Sequence, residues 1–178
     1  MGTEELKKII SAYIPEGQAD RRNFLPLYAD RNVMDRIVSF LAEPYRGKVD
    51  YVLSPEPLGY ILGSMMAREL NVGLIALRKG KDHFTDDTEL LAASYIDHRN
   101  QVQCLAGMKS LLPSGSRILI ADDYIETAAT IQTCMAILEE AGAEAAGIVS
   151  IGACCRPVTR EMIDSGMVRC IHTIYAEA

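Results

Sequence analysis

RILIADDYIETAATIQTCMAIL, residues 117–138, decides how the rest of this 178-residue chain is read. Ile118, Leu119 and Ile120 form an unbroken apolar run, the pattern of a strand covered on both faces in a parallel sheet. Ile131, Cys134, Met135 and Leu138 then recur at helical spacing. Between strand and helix stand two adjacent carboxylates, Asp122 and Asp123, and a short loop bracketed by Thr127 and Thr130. The acids therefore fall at the carboxyl edge of a sheet. Open α/β sheets bind small ligands at that edge, and the amides opening the next helix suit an anionic group. Carboxylates beside such a loop suggest a sugar phosphate. A competing reading is purely local: Asp123-Tyr124-Ile125-Glu126 fits an Asp-x-x-Glu capping pattern, in which a helix begins at Asp123 and no phosphate loop exists.

Outward from this segment, strands and helices alternate. Helices are expected over residues 4–13 and, from the spacing of Val33, Ile37, Val38 and Leu41, over a second stretch ending near Pro44. The Pro- and Arg-bearing residues between them read as irregular. Residues 51–53 read as a strand, 54–59 as a tight loop, 60–70 as a helix with Ile61, Leu62, Met65 and Met66 inward, and 74–77 as a strand, which together make a βαβ unit. A polar stretch over 80–88 precedes strand-like runs near 91–96 and 101–105. Pro113-Ser114-Gly115 then turns the chain into the strand that carries the acids. A strand at 145–151, a helix at 159–165 and a strand at 168–175 follow. The expected fold is one α/β domain over residues 1–178, a mostly parallel sheet flanked by helices.

Composition narrows the function classes. Hydrophobic residues at 49% and charged residues at 24% suit a single domain with a sizeable core. A net charge of −6 argues against nucleic acid as a partner, which would need a basic face. The five cysteines are odd in number and lack C-x-x-C spacing, so they read as reduced core thiols. A redox role for the adjacent Cys154 and Cys155 is the alternative. His83, His98 and His172 form no ligand-spaced cluster with them, which speaks against a structural zinc site. With no secretory h-region and no apolar run long enough to cross a bilayer, a cytoplasmic protein without a membrane partner is expected.

Residues 118–130 resemble the phosphoribosyl-diphosphate (PRPP) signature of type I phosphoribosyltransferases: an apolar strand, two acids, two apolar residues, one variable residue, then Thr-Gly-Gly-Thr. Four more segments line up in order with the adenine phosphoribosyltransferases. Ser54-Pro55-Glu56-Pro57-Leu58-Gly59-Tyr60-Ile61-Leu62-Gly63 is similar to Glu-x-Arg-Gly-Phe-Ile-Leu-Gly, with Glu56, Gly59 and Gly63 in place. Leu77-Arg78-Lys79-Gly80-Lys81 resembles Arg-Lys-x-Gly-Lys. Residues 82–97 occupy the place of the flexible hood loop, with Ser94-Tyr95 matching a Ser-Tyr there. Residues 20–27 resemble the N-terminal base-pocket segment Phe-Arg-Asp-Ile-Thr-Pro-Leu, with Arg22 and Pro26 in place.

The resemblance implies a catalytic group of Asp122, Asp123 and Glu56, with the two aspartates on the ribose diol. It implies that Glu126, Thr127, Ala128, Ala129 and Thr130 wrap a 5′-phosphate, that Arg78, Lys79 and Lys81 meet the diphosphate, and that Arg21, Arg22 and Phe24 surround a base. It further implies a nucleotide or sugar-phosphate ligand, phosphoribosyl transfer to a purine base, and a homodimer. Magnesium is implied as an ion carried by the ligand near Asp122 and Asp123. Three features depart from the pattern. Leu58 replaces an arginine and cannot donate to a diphosphate oxygen. Ala128 and Ala129 replace glycines, which alone accept positive φ freely. Glu126 replaces a small residue with a charge that repels phosphate. These departures predict weakened use of PRPP. They keep two alternatives in play, a non-catalytic nucleotide or sugar-phosphate sensor and an enzyme of the same fold with an altered substrate.

Overall fold

In the computed structural model, residues 3–13, 24–82, 84, 89–97 and 100–174 are described. Three helices come first, α1 (Thr3–Tyr13), α2 (Leu25–Ala29) and α3 (Arg31–Ala42). The Asp30 carboxylate caps α3 by accepting the Val33 N–H at 3.1 Å, and it also accepts the Tyr13 hydroxyl at 2.6 Å, so one residue ties α1 to α3. The stretch expected to be irregular thus contains α2. With five residues and a proline in its first turn, it is too short to show helical periodicity.

The remaining elements are β1 (Tyr51–Pro55), α4 (Gly59–Leu70), β2 (Gly73–Lys79), β3 (Leu90–Ile96), β4 (Val102–Met108), β5 (Arg117–Ile125), α5 (Ala129–Ala141), β6 (Glu144–Cys154), α6 (Pro157–Asp164) and β7 (Val168–Ile174). They build a seven-stranded sheet in the order β3-β4-β2-β1-β5-β6-β7. Neighbours from β2 through β1, β5 and β6 to β7 are parallel, and β4 runs antiparallel to both β2 and β3. The expected mostly parallel sheet flanked by helices is present. Its antiparallel edge comes from the hairpin that holds the second half of the expected hood.

Side-chain alternation along β5 divides the core into two layers. Leu119 and Ala121 join α1, α2, α3 and α4 on one face, while Ile118 and Ile120 join α5 on the other. β5 is pinned to the start of β1 by Arg117. Its guanidinium donates to Asp50 Oδ1 at 2.8 Å, and its backbone N–H donates to Asp50 Oδ2 at 2.8 Å. Those bonds hold the Asp50 carboxyl down to about 2.

Because α4 and α5 leave neighbouring strands for opposite faces, the loops after β1 and β5 part from each other. The crevice between them is the topological switch point, where an open α/β sheet receives ligands.

Candidate functional site

β5 stays extended through Ile125, and α5 begins only at Ala129. That geometry overturns the capping alternative, since no helix starts at Asp123. The intervening loop turns through Ala128, which adopts φ 62° and ψ −6°. A left-handed residue is where glycine is ordinarily required, and the alanine holds the conformation while buried in the core layer beneath α5. The Ala129 N–H reaches Thr127 Oγ1 at 3.4 Å, and the Thr133 hydroxyl donates to the Ala129 carbonyl at 2.8 Å.

Lys79, Tyr95, Asp97, Asp122, Tyr124, Ile125, Glu126, Thr127, Ala128, Thr130 and Ile131 line a cleft over this loop. Asp122 enters it from β5. Its Oδ1 accepts the Asp123 N–H at 3.0 Å and lies 3.0 Å from where a Cβ on Gly59 would sit, so the glycine that opens α4 lets the carboxylate approach the β1 loop. Asp123 follows the alternation of a strand and is turned away. It is fully buried, and its Oδ2 accepts the Tyr28 hydroxyl of α2 at 3.2 Å.

Across the crevice, Glu56 follows β1 and receives two bonds from the end of β2. Arg78 Nε and the Lys79 N–H both donate to Glu56 Oε2 at 2.9 Å. The Tyr60 hydroxyl donates to the Leu77 carbonyl at 2.7 Å, and burial, then the nearby Glu56, push that hydroxyl up to about 12. The bonds to Glu56 fix it and Arg78 beside Lys79, which lines the cleft together with Asp122, Glu126, Thr127 and Thr130. Lys81 is exposed beyond the strand and does not form part of the wall. Phe24 is 1% exposed and stands behind the wall, its ring 5.7 Å from that of Tyr124. Arg21 and Arg22 lie outside the described residues.

Tyr95 and Asp97, which the sequence reading placed in the hood segment without a ligand role, line the site, and Tyr28, given no role, supports it from behind. Tyr95 follows Leu91 and Ala93 on the β3 face that packs against the core layer of α5, and its hydroxyl bonds to the Thr130 side chain. Burial first, and then Asp122 among its neighbours, raise that hydroxyl above its ordinary value, so it stays protonated at neutral pH. Asp97 closes the same wall while accepting from the Gln101 N–H at 2.9 Å and from Gln103 Nε2 at 3.2 Å. Tyr28 holds Asp123. The alternation of Leu91, Ala93 and Tyr95 was a usable signal for the first of these, whereas Tyr28 is 95 residues from its partner and left no local trace.

Chemically, the cleft offers a carboxylate for hydroxyl donors and a helix-opening loop with two threonine hydroxyls for an anion. A cation stands at its rim.

Comparisons with known proteins bear on the family and the fold. A family model for the phosphoribosyl transferase domain matches residues 27–177. Adenine phosphoribosyltransferase of Renibacterium salmoninarum is 30% identical over 136 residues, covering 75% of this chain and 71% of that protein. The Leuconostoc citreum enzyme of the same name is 30% identical over 141 residues, covering 77% and 76%. Among solved structures, adenine phosphoribosyltransferase from Thermoanaerobacter pseudethanolicus superposes with a TM-score of 0.80 at 22% identity, over 97% of this chain and 100% of that one. The Trypanosoma brucei enzyme, solved with AMP, pyrophosphate and ribose-5-phosphate, gives 0.74 at 19% identity, over 96% and 78%. At those identities the structural likeness speaks for the fold.

Proposed function

The chain belongs to the phosphoribosyltransferase family, and on that premise we propose that it transfers the phosphoribosyl group of PRPP to a purine base, adenine being the base for which its relatives are named. The observation that carries the reading is the shape of the loop after β5. It keeps a left-handed entry at Ala128 despite the lost glycine, and so presents Thr127, Thr130 and the first N–H groups of α5 to the cleft that Asp122 lines.

In the reaction, a base nitrogen donates its lone pair to the anomeric carbon while the bond to the diphosphate oxygen breaks, that oxygen keeps the electron pair, and the proton shed by the base leaves with the diphosphate. Asp122 accepts hydrogen bonds from the ribose diol and fixes the sugar's orientation, with Asp123 supporting the strand from behind through Tyr28. Thr127, Thr130 and the α5 amides hold the 5′-phosphate. Arg78 and Lys79, steadied by Glu56, face the diphosphate, and the β3–β4 hairpin excludes water from the electron-poor centre.

Magnesium would neutralise the leaving diphosphate. The carboxylate oxygens of Asp122 are of the hard type that magnesium takes, and among the described residues no three His, Cys, Asp or Glu side chains converge on one point, so the ion would arrive with the diphosphate. A homodimer and a cytoplasmic setting complete the reading, supported by the family resemblance. No helix among the described residues is long and apolar enough to cross a membrane.

The test is diphosphate release and nucleotide formation from PRPP with adenine, hypoxanthine and guanine, run beside calorimetric binding of AMP. Turnover with one purine is the expected result. Tight AMP binding with no turnover of any base would replace the transferase by the sensor reading.

A further inference from the structure

The hairpin of β3 and β4 lays one face on the start of α5. Leu91 is buried in the core layer beneath that helix, Ala93 and Tyr95 pack against it at alternate positions, and the interleaved Ser94 and Ile96 are exposed. The register is held from the neighbouring strand, where Leu105 lies opposite Ala93 and Gln103 opposite Tyr95. Past the end of β3, Gln103 Nε2 donates to the Asp97 carboxylate at 3.2 Å, and the Asp97 N–H donates to the Gln101 carbonyl at 2.9 Å. The strand therefore delivers the Tyr95 hydroxyl to a fixed place, the Thr130 side chain, to which it bonds. Tyr95 is half-buried, and both residues line the cleft.

Thr130 is the second residue of α5, in the turn whose N–H groups a helix offers to an anion. A threonine hydroxyl carries one proton and turns freely unless it is held. With the phenol donating to Thr130 Oγ1, that proton is left for an anion, and a hydroxyl that accepts one hydrogen bond donates a stronger one. Burial keeps the phenol protonated at neutral pH, so it can serve as that donor. Glu126 and the two alanines weaken the loop from within, whereas Tyr95 reaches it from another element.

Resting on the transferase reading above, we propose that Tyr95 is a positioning residue for the 5′-phosphate: its hydroxyl holds the Thr130 hydroxyl toward that group, so that the β3–β4 hairpin helps the loop after β5 to select a phosphorylated ribose over a free one. AMP and adenosine share the base and the ribose and differ only in the phosphate. The preference between them therefore reads the contact directly.

The experiment measures the Kd of AMP and of adenosine by calorimetry on wild type, Tyr95→Phe, Thr130→Val and the double variant. The wild type should bind AMP more tightly than adenosine. Tyr95→Phe keeps the ring and removes only the hydroxyl, so it should cut that preference roughly three- to tenfold, the worth of one hydrogen bond, with the Kd of adenosine unchanged. The double variant should lose no more of the preference than Thr130→Val alone, because the phenol acts through that hydroxyl. An unchanged preference in Tyr95→Phe would overturn the proposal, as would a further loss in the double variant. Tighter AMP binding by Tyr95→Phe would overturn it too, since the phenol would then compete with the phosphate for Thr130. Equal losses for AMP and adenosine would do the same, being the mark of a general structural role. If wild type bound adenosine as tightly as AMP, the phosphate-binding reading of the loop would fall and this proposal with it, a result distinct from a phosphate-selective loop indifferent to Tyr95.

Discussion

Leu58 comes one residue before Gly59, whose backbone Asp122 approaches, and its side chain has no polar atom to offer a diphosphate. An arginine there would add a charge-assisted contact worth about 1.5–3 kcal/mol, roughly ten- to a hundredfold in affinity. Leu58→Arg should tighten PRPP binding by that factor in calorimetry, and adding Glu126→Ala should tighten it further by removing a like charge. Affinity unmoved by Leu58→Arg would mean that position 58 does not face the diphosphate. Ala128 belongs to a different class of departure. Its left-handed backbone costs about 1–2 kcal/mol relative to glycine, yet the loop keeps the shape that glycine would give it. Chain chemistry told us that alanine would resist such a turn, but packing of its methyl group in the core layer decides that it is tolerated. The acid pair shows the same limit. Two adjacent carboxylates were evident in the sequence. Which of them faces the cleft was not, because an apolar run without alternation does not reveal which face each residue takes.

At the scale of elements, the site depends on how closely α4 lies on β1. A Cβ on Gly63 would fall 1.9 Å from Ser54 Oγ and 2.7 Å from Ser54 Cβ, and Ser54 is itself fixed by donating to the Ala121 carbonyl at 2.8 Å. Gly63→Ala should therefore destabilise the fold by about 1–3 kcal/mol, the usual cost of overpacking. Thermal unfolding should show the loss, and Ser54→Gly in the same chain should recover part of it, because the two positions share one contact. A Gly63→Ala variant as stable as wild type would show that α4 shifts without resistance. Elements with a strong period were legible in advance. The helix expected at 60–70 is α4 at Gly59–Leu70, and the run at 118–120 lies within β5. The β3–β4 pair was legible as two strands but not as an antiparallel hairpin, since direction is set by which neighbour each strand meets rather than by its own residues.

Across the whole molecule, a ligand at the switch point would bridge the β1–α4–β2 half, the β5–α5–β6 half and the β3–β4 hairpin at once. Binding to such a junction should stabilise the domain as a unit. At a hundred times its dissociation constant, AMP should contribute about 2.7 kcal/mol, and with roughly 2–4 °C per kcal/mol for a chain of this size the Tm should rise by roughly 5–11 °C. That shift should depend on Asp122. Asn at this position keeps an oxygen to accept the Asp123 N–H, so the ligand-free fold should survive with a Tm close to wild type. The same substitution turns one carboxylate acceptor into a donor facing a ribose diol, which itself has donors to satisfy. Asp122→Asn should thus lose most of the AMP-induced shift. Asp123→Asn, which keeps an oxygen for the Tyr28 hydroxyl on the far side of the strand, should lose less of it. Differential scanning fluorimetry with and without AMP measures both variants. If Asp122→Asn kept the full shift, the ribose would have to be held elsewhere, and the division of labour read from the two faces of β5 would fail with it.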